Sequence, residues 1–153
     1  MNRKAWIIGA STGIGAALAD ELTKKNWQVT RSSRSKGEIL IDISDDASVE
    51  NAAKTYLEQF GDFDVVVVMA GFWKQMTAQK FDLDIFKEHN NTNNVGLARC
   101  VAAVLPKMIN QNSGTLIGVS SVAGFRGLPG SSGYGPSKAA QINFLESLRT
   151  DLQ

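Results

Sequence analysis

The sequence predicts an α/β fold, a doubly wound parallel sheet with helices on both faces. Three observations carry this. Strand-like and helix-like segments alternate along the chain, the strand-like run 64–70 is almost purely valine, and a glycine-rich turn separates the first strand from the first helix. Such alternation links parallel strands through helical crossovers. A strand with no polar alternation is one covered on both faces.

The elements follow in order. Lys4 to Gly9 is a short apolar run ending in glycine, which reads as a buried strand. Ile14 to Asn26 repeats Ile14, Leu18 and Leu22 at the spacing of an amphipathic helix. Trp27 to Ser32 and Glu38 to Ile43 read as the second and third strands. Ser44 is placed to cap a helix running to about Phe60, with Val49, Ala52, Ala53, Tyr56 and Leu57 on one face. Asp64 to Ala70 is the central strand. The stretch from Phe81 to Asn110 reads as one broken helix or two consecutive ones, with Pro106 marking a kink or an end. Thr115 to Ser120 is the fifth strand, Ser121 to Gly133 a loop of Gly and Ser, and a last helix runs from Tyr134 with Ala139, Ile142, Leu145 and Leu148 as its stripe. The crossovers are expected to be right-handed, the strand order is expected to be 3-2-1-4-5, and the chain reads as a single domain, 1–153, without repeats or linkers.

Composition removes several classes of function. A net charge of +1, with only a small basic cluster at Arg31–Lys36, gives no footprint for nucleic acid. The longest apolar run, 65–71, is far below the ~20 residues a membrane span needs. The basic start MNRKAWIIGA is interrupted at once by Ser11, Thr12 and glycines, which does not suit a signal peptide. One cysteine, Cys100, cannot form an internal disulfide and reads as packing, so the expected compartment is the reducing cytoplasm. His89 stands alone, so no metal site is expected.

The turn Gly9-Ala10-Ser11-Thr12-Gly13-Ile14-Gly15 opens the first helix. Glycines let the backbone turn sharply and approach a phosphate, while a helix N-terminus offers free N–H groups and a positive dipole end. Dinucleotide folds place a pyrophosphate there, though the spacing here is G-x-x-x-G-x-G. The second strand bears on the cofactor. An acid about 20 residues past the glycines would bind ribose hydroxyls and repel a 2′-phosphate. This chain has no acid between Glu21 and Glu38, and instead carries Arg31, Ser32, Ser33, Arg34 and Ser35. Guanidinium and hydroxyls suit a phosphate dianion. The expectation is NADP(H) in preference to NAD(H), with Arg34 as the phosphate ligand. Asp42, after the third strand, is either an acceptor for an adenine amino group or an ordinary turn residue.

Tyr134 and Lys138 stand four apart at the start of the last helix and project from one face. A tyrosine is a sluggish acid–base catalyst at neutral pH, and a nearby ammonium favours its phenolate. Lys138 is also placed to bond a nicotinamide ribose. Ser121 precedes Tyr134 by thirteen residues, at the C-terminal end of the fifth strand, the edge where open α/β sheets bind ligands.

Gly9-x-x-x-Gly13-x-Gly15, Ala70-Gly71, Asn93-x-x-Gly96, Leu105-Pro106-x-Met108, Ser120-Ser121-Val122-Ala123-Gly124 and Tyr134-Gly135-Pro136-Ser137-Lys138 resemble, in order and spacing, the short-chain dehydrogenase/reductase family. The resemblance covers the whole chain. It implies a Rossmann-type fold and hydride transfer between a nicotinamide and a carbonyl or alcohol carbon of a small molecule. It casts Tyr134 as proton donor, Ser121 as hydrogen-bond donor to the carbonyl oxygen, Lys138 as ribose ligand and tuner of Tyr134, and Asn93 as anchor of a relay water. Asn90, Asn91 and Asn94 compete with Asn93, which is chosen for its place three before Gly96. The resemblance also implies cofactor contacts at Gly9, Ser11, Thr12, Gly13, Ile14, Gly15, Ala70 and Gly71, and a homo-oligomer, dimer or tetramer, joined through the helices holding Cys100 and Tyr134. The chain departs from the pattern at Met69, where the family has Asn, and at Ile8, where it commonly has Thr. The family continues past the Tyr-Lys helix with two more strands, further helices and a substrate-covering loop. The apolar stripe running to Gln153 and the open edge at 115–120 carry the same expectation, a C-terminally incomplete chain. The rival reading is an inactive nucleotide-binding or regulatory protein on the same fold.

Overall fold

The structure, a computed structural model, describes residues 3–153. Strands β1 (Lys4–Ile8), β2 (Gln28–Ser33), β3 (Ile39–Leu40), β4 (Val65–Val68) and β5 (Thr115–Gly118) form one sheet in the order β3-β2-β1-β4-β5. The fold is the expected parallel, Rossmann-like one. β1 pairs in parallel with β2 and β4, Trp6 standing opposite Thr30 and Val66. The helices are α1 (Gly13–Lys24), α2 (Asp46–Phe60), α3 (Leu83–His89), α4 (Gly96–Asn110) and α5 (Tyr134–Asp151).

The chain separates into two compact units. One runs up to Ala70 and takes in Ala98–Ile117; the other comprises Gly71–Leu97 and Gly118–Gln153. The first unit is built on aromatic stacking. Trp6 of β1 lies with its ring centroid 4.8 Å from Tyr56 of α2 and 5.9 Å from Phe63, and all three are buried. Such near-parallel rings contribute beyond their area. The Trp6 indole N–H donates to the Ser32 hydroxyl at 2.8 Å, so no polar atom of the stack is stranded. Cys100 is buried in α4, and that burial pushes its thiol up to about 12, as befits a packing residue.

Several expectations change at this level. The third strand is two residues, not six, because Asp42 turns the chain: its Oδ1 accepts from the Ser44 N–H at 2.9 Å and the Ser44 hydroxyl at 2.6 Å. With Ser44 so engaged, Asp45 is the cap of α2, its side chain accepting from the Ser48 N–H at 2.6 Å. The buried line of α1 is Gly15 and Ala19, and Ile14 is 76% exposed. Pro106 does not end its helix, which continues to Asn110.

In the second unit, the break expected within 81–110 is a π turn, Asn90–Val95, between α3 and α4. Widened turns of this kind recur at functional sites. A short 3₁₀ turn, Val122–Gly124, interrupts the glycine-serine loop, capped by Ser121.

Candidate active site

The first unit holds the glycine turn. Gly9 has φ +100°, and a Cβ there would lie 2.4 Å from the Ala70 nitrogen; a Cβ at Gly15 would lie 2.2 Å from the Gly9 carbonyl oxygen. Both positions are therefore closed to any side chain. The Gly9 and Ala10 N–H groups donate to the Ser32 carbonyl, at 2.8 and 3.1 Å, which fixes the start of the turn. Ser11, Thr12, Gly13 and Ile14 are exposed, Thr12 makes no side-chain cap, and no acid stands in the first turn of α1. These are the conditions under which a helix N-terminus takes an anion from solvent. A pyrophosphate fits this cradle.

The residues after β2 divide. Ser32 is buried and accepts from Trp6, and the Ser33 hydroxyl donates to the Lys36 carbonyl at 2.6 Å, so two of the three hydroxyls expected for a phosphate serve the framework, while Ser35 is exposed. The Arg31 guanidinium pairs with Asp20 at 2.7 Å. Arg34 is exposed beyond the strand end. Asp42 makes the turn through Oδ1, which takes both Ser44 contacts. The Ser44 hydrogen bond, and secondarily the charges of Arg34 and Arg99, hold its carboxyl below the usual range despite opposing burial. Met69, where an Asn was expected, leaves its linkage to the main chain. The Met69 and Ala70 N–H groups both donate to the Ile8 carbonyl, at 2.8 and 3.0 Å.

The second unit holds the other cluster. Tyr134 is half-buried at the first residue of α5, and Lys138 is 4% exposed one turn on. The Lys138 ammonium lies 5.7 Å from the Tyr134 ring centroid. It donates to the Val119 carbonyl at 2.9 Å and to Gln141 Oε1 at 3.0 Å. Burial lowers its pKa to about 8. Ser121 Oγ accepts from the Ala123 N–H at 3.2 Å, an arrangement that leaves its O–H to donate elsewhere.

Asn93 is fully buried in the π turn. Its Oδ1 accepts from the Phe72 N–H at 2.7 Å, and its Nδ2 donates to the Phe72 carbonyl and to the Ser137 hydroxyl, both at 2.9 Å. Ser137 in turn donates to the Tyr134 carbonyl at 2.7 Å. Asn93 thus ties the loop after Gly71 to the first turn of α5. Gly71 stands against it, since a Cβ there would meet Asn93 Oδ1 at 3.1 Å. The structure brings Asn93, Tyr134 and Lys138 into one network, and Asn90 faces the Phe86 carbonyl instead.

Sequence reasoning missed three members. Ser137 belongs to the Asn93 network. His89 is wholly buried: its Nε2 accepts from the Lys74 N–H at 3.1 Å, so Nδ1 is the nitrogen that donates to the Ile85 carbonyl at 2.8 Å. Its ring meets the edge of Tyr134 with centroids 6.1 Å apart. Gln141 is buried and bonded to both Lys138 and the Asn93 carbonyl. Its spacing of three from Lys138 and seven from Tyr134 marks the same helix face, which is the signal that could have found it.

Among the described residues, no helix is long and apolar enough to cross a membrane, and no cluster of three or more His, Cys, Asp or Glu is placed to hold a metal.

The family model for short chain dehydrogenases matches residues 3–153. An uncharacterized oxidoreductase of Myxococcus xanthus is 34% identical over 99% of this chain and 66% of its own length. Dehydrogenase/reductase SDR family member 7 of Mus musculus is 32% identical over 96% of this chain and 50% of its own, so the chain spans half to two thirds of these relatives. Among solved structures, an alcohol dehydrogenase from Thermococcus sibiricus complexed with 5-hydroxy-NADP superposes with a TM-score of 0.91 at 26% identity, covering 99% of this chain and 72% of that one. The match along the whole chain, with the glycine turn and the Tyr-Lys helix in place, shows that this chain belongs to the short-chain dehydrogenase/reductase family.

Proposed function

We propose that this chain carries the nucleotide-binding and proton-donating parts of an NADP(H)-dependent reductase acting on a small carbonyl or alcohol substrate. The observation that carries the reading is Lys138. A buried ammonium beside a half-buried phenol, held by two carbonyl oxygens rather than a carboxylate, keeps its charge available to that phenol. Nicotinamide, when bound, supplies or takes the hydride. Tyr134 gives the proton to the carbonyl oxygen, and the ammonium of Lys138 stabilises the phenolate that remains. The free O–H of Ser121 donates to the same oxygen. The third N–H of Lys138 is left for a ribose hydroxyl. Asn93 was expected to anchor a relay water. Both ends of its amide serve the framework, and its main-chain oxygen, which accepts from Gln141, keeps a second lone pair for that water.

On the cofactor side, Gly9, Ser11, Thr12, Gly13, Ile14 and Gly15 receive the pyrophosphate, Ala70 and Gly71 border the nucleotide, and Arg34 takes the 2′-phosphate. The NADP analogue in the Thermococcus sibiricus structure supports that preference, as does the lack of any acid directly after β2. Tyr134→Phe tests the reading. It keeps the ring and its packing and removes the proton, so carbonyl reduction should fall by roughly 10²–10⁴-fold while NADPH titration by fluorescence gives an unchanged affinity. Near-normal turnover across several ketones would favour the binding-protein reading.

A further inference from the structure

Gln141 sits one turn past Lys138 on α5 and is 3% exposed. Its carboxamide is used at both ends. Nε2 donates to the main-chain oxygen of Asn93 at 2.6 Å, and Oε1 accepts from the Lys138 ammonium at 3.0 Å. A buried carboxamide is costly unless both ends are paired. Here an apolar side chain would have filled the same helix face at no such cost.

Resting on the reading of Tyr134 and Lys138 given above, we propose that Gln141 is a positioning residue for Lys138, its carboxamide tying the ammonium to the backbone of the π turn. Chemistry allows only one orientation of that amide. An ammonium can only donate and a main-chain carbonyl can only accept, so Oε1 must face Lys138 and Nε2 must face Asn93. With Gln141 and the Val119 carbonyl holding two of the three ammonium hydrogens, tetrahedral geometry fixes the third.

The surroundings make this carbonyl matter. Around Lys138, the titratable group on its own helix is Tyr134; buried His89 of α3 stands against Tyr134, and the charged side chains of the other bordering segments, Asp84, Lys87 and Glu88 of α3 and Lys74 in the loop after Gly71, are exposed. The π turn Asn90–Val95 and the 3₁₀ turn Val122–Gly124, both packed against α5, carry no ionisable side chain. The ammonium is therefore held by neutral carbonyl dipoles, and Gln141 supplies one of two. Removing it withdraws a hydrogen bond from the charged form of Lys138, and a carboxylate in its place adds an opposite charge.

The test is a titration of cofactor-free protein labelled with ¹³Cε-lysine, the Lys138 signal being identified by its loss in Lys138→Met. Gln141→Leu should lower the Lys138 midpoint by about one pH unit, the size of a lost hydrogen bond to a charged group. Gln141→Glu should raise it. In active protein, the pH at which turnover changes should move in the same directions. If Gln141→Leu does not fold, the Glu variant decides alone. A Lys138 midpoint that stays put in a folded Gln141→Glu protein overturns the proposal. Because the titration needs no turnover, it separates this outcome from a failure of the Tyr134 assignment, which Tyr134→Phe decides.

Discussion

At the scale of the residue, a lysine kept nine-tenths out of water is a liability that needs a use. Burial lowers the pKa of Lys138 from 10.5 to about 8. Between those values the unfolded chain binds a proton at this residue that the folded chain does not, so its contribution to stability rises with pH across that window. Below pH 8 both states are protonated and the penalty is constant. Lys138→Met should abolish this dependence. Urea unfolding at pH 7.5 and 10 should show the wild type gaining roughly 2–3 kcal/mol relative to the variant, and parallel profiles would contradict the burial of the charge. The face around Lys138 also shows where reading by apolar pattern fails. The stripe expected on α5 began at Ala139, which is exposed, while the buried positions are Gly135, Ser137, Lys138 and Gln141. Tyr134 and Lys138 were legible because their chemistry needs both residues at one spacing. Gln141 was missed, because its spacing marks only a shared helix face, and a glutamine there announces no chemistry until its two partners are seen.

At the scale of the element, the ends were harder to read than the cores. The apolar face of α2 was visible in Val49, Ala52, Ala53 and Tyr56, all buried. Its cap moved by one residue, since Ser44 is drawn to Asp42 and leaves Asp45 to meet the Ser48 N–H. Asp45→Ala should therefore cost about 1 kcal/mol in urea unfolding, the usual loss of an N-cap. The alternative cap predicts an unchanged Asp45→Ala protein. Ser44→Ala should instead leave Asp42 without its largest stabilising bond and raise the pH at which that carboxyl titrates. The same competition shortened β3, because a turn stabilised by side chains takes the backbone out of the ladder after Leu40. In α1, spacing alone selected Ile14, Leu18 and Leu22. The helix instead lies so close to the turn that its contact line begins at Gly15, whose missing side chain carries no hydrophobic signal.

At the scale of the whole molecule, strand order and family were legible because six weak motifs occur in one order, and a chance match at each would not preserve the spacing. What could not be read was the division of the chain into two compact units, one holding the glycine turn and the residues after β2, the other holding Asn93, Ser121, Tyr134 and Lys138. That division follows contacts between segments distant in sequence, such as Ala98–Ile117 returning to the first unit. It also makes a prediction about function. Arg34 belongs to the first unit and is exposed, with no part in the Tyr134 network. Arg34→Ala should weaken NADPH binding about ten-fold, the scale of a lost charged hydrogen bond. Affinity for NADH, and turnover at saturating NADPH, should stay unchanged. Tyr134→Phe should do the reverse, removing turnover and sparing both affinities. Binding titrations and saturation kinetics on the two single variants therefore read the two tasks separately. If Arg34→Ala lowered turnover at saturation as much as affinity, or left the preference between the two nucleotides intact, the assignment of the phosphate to Arg34 would fall, while that of the proton to Tyr134 would stand.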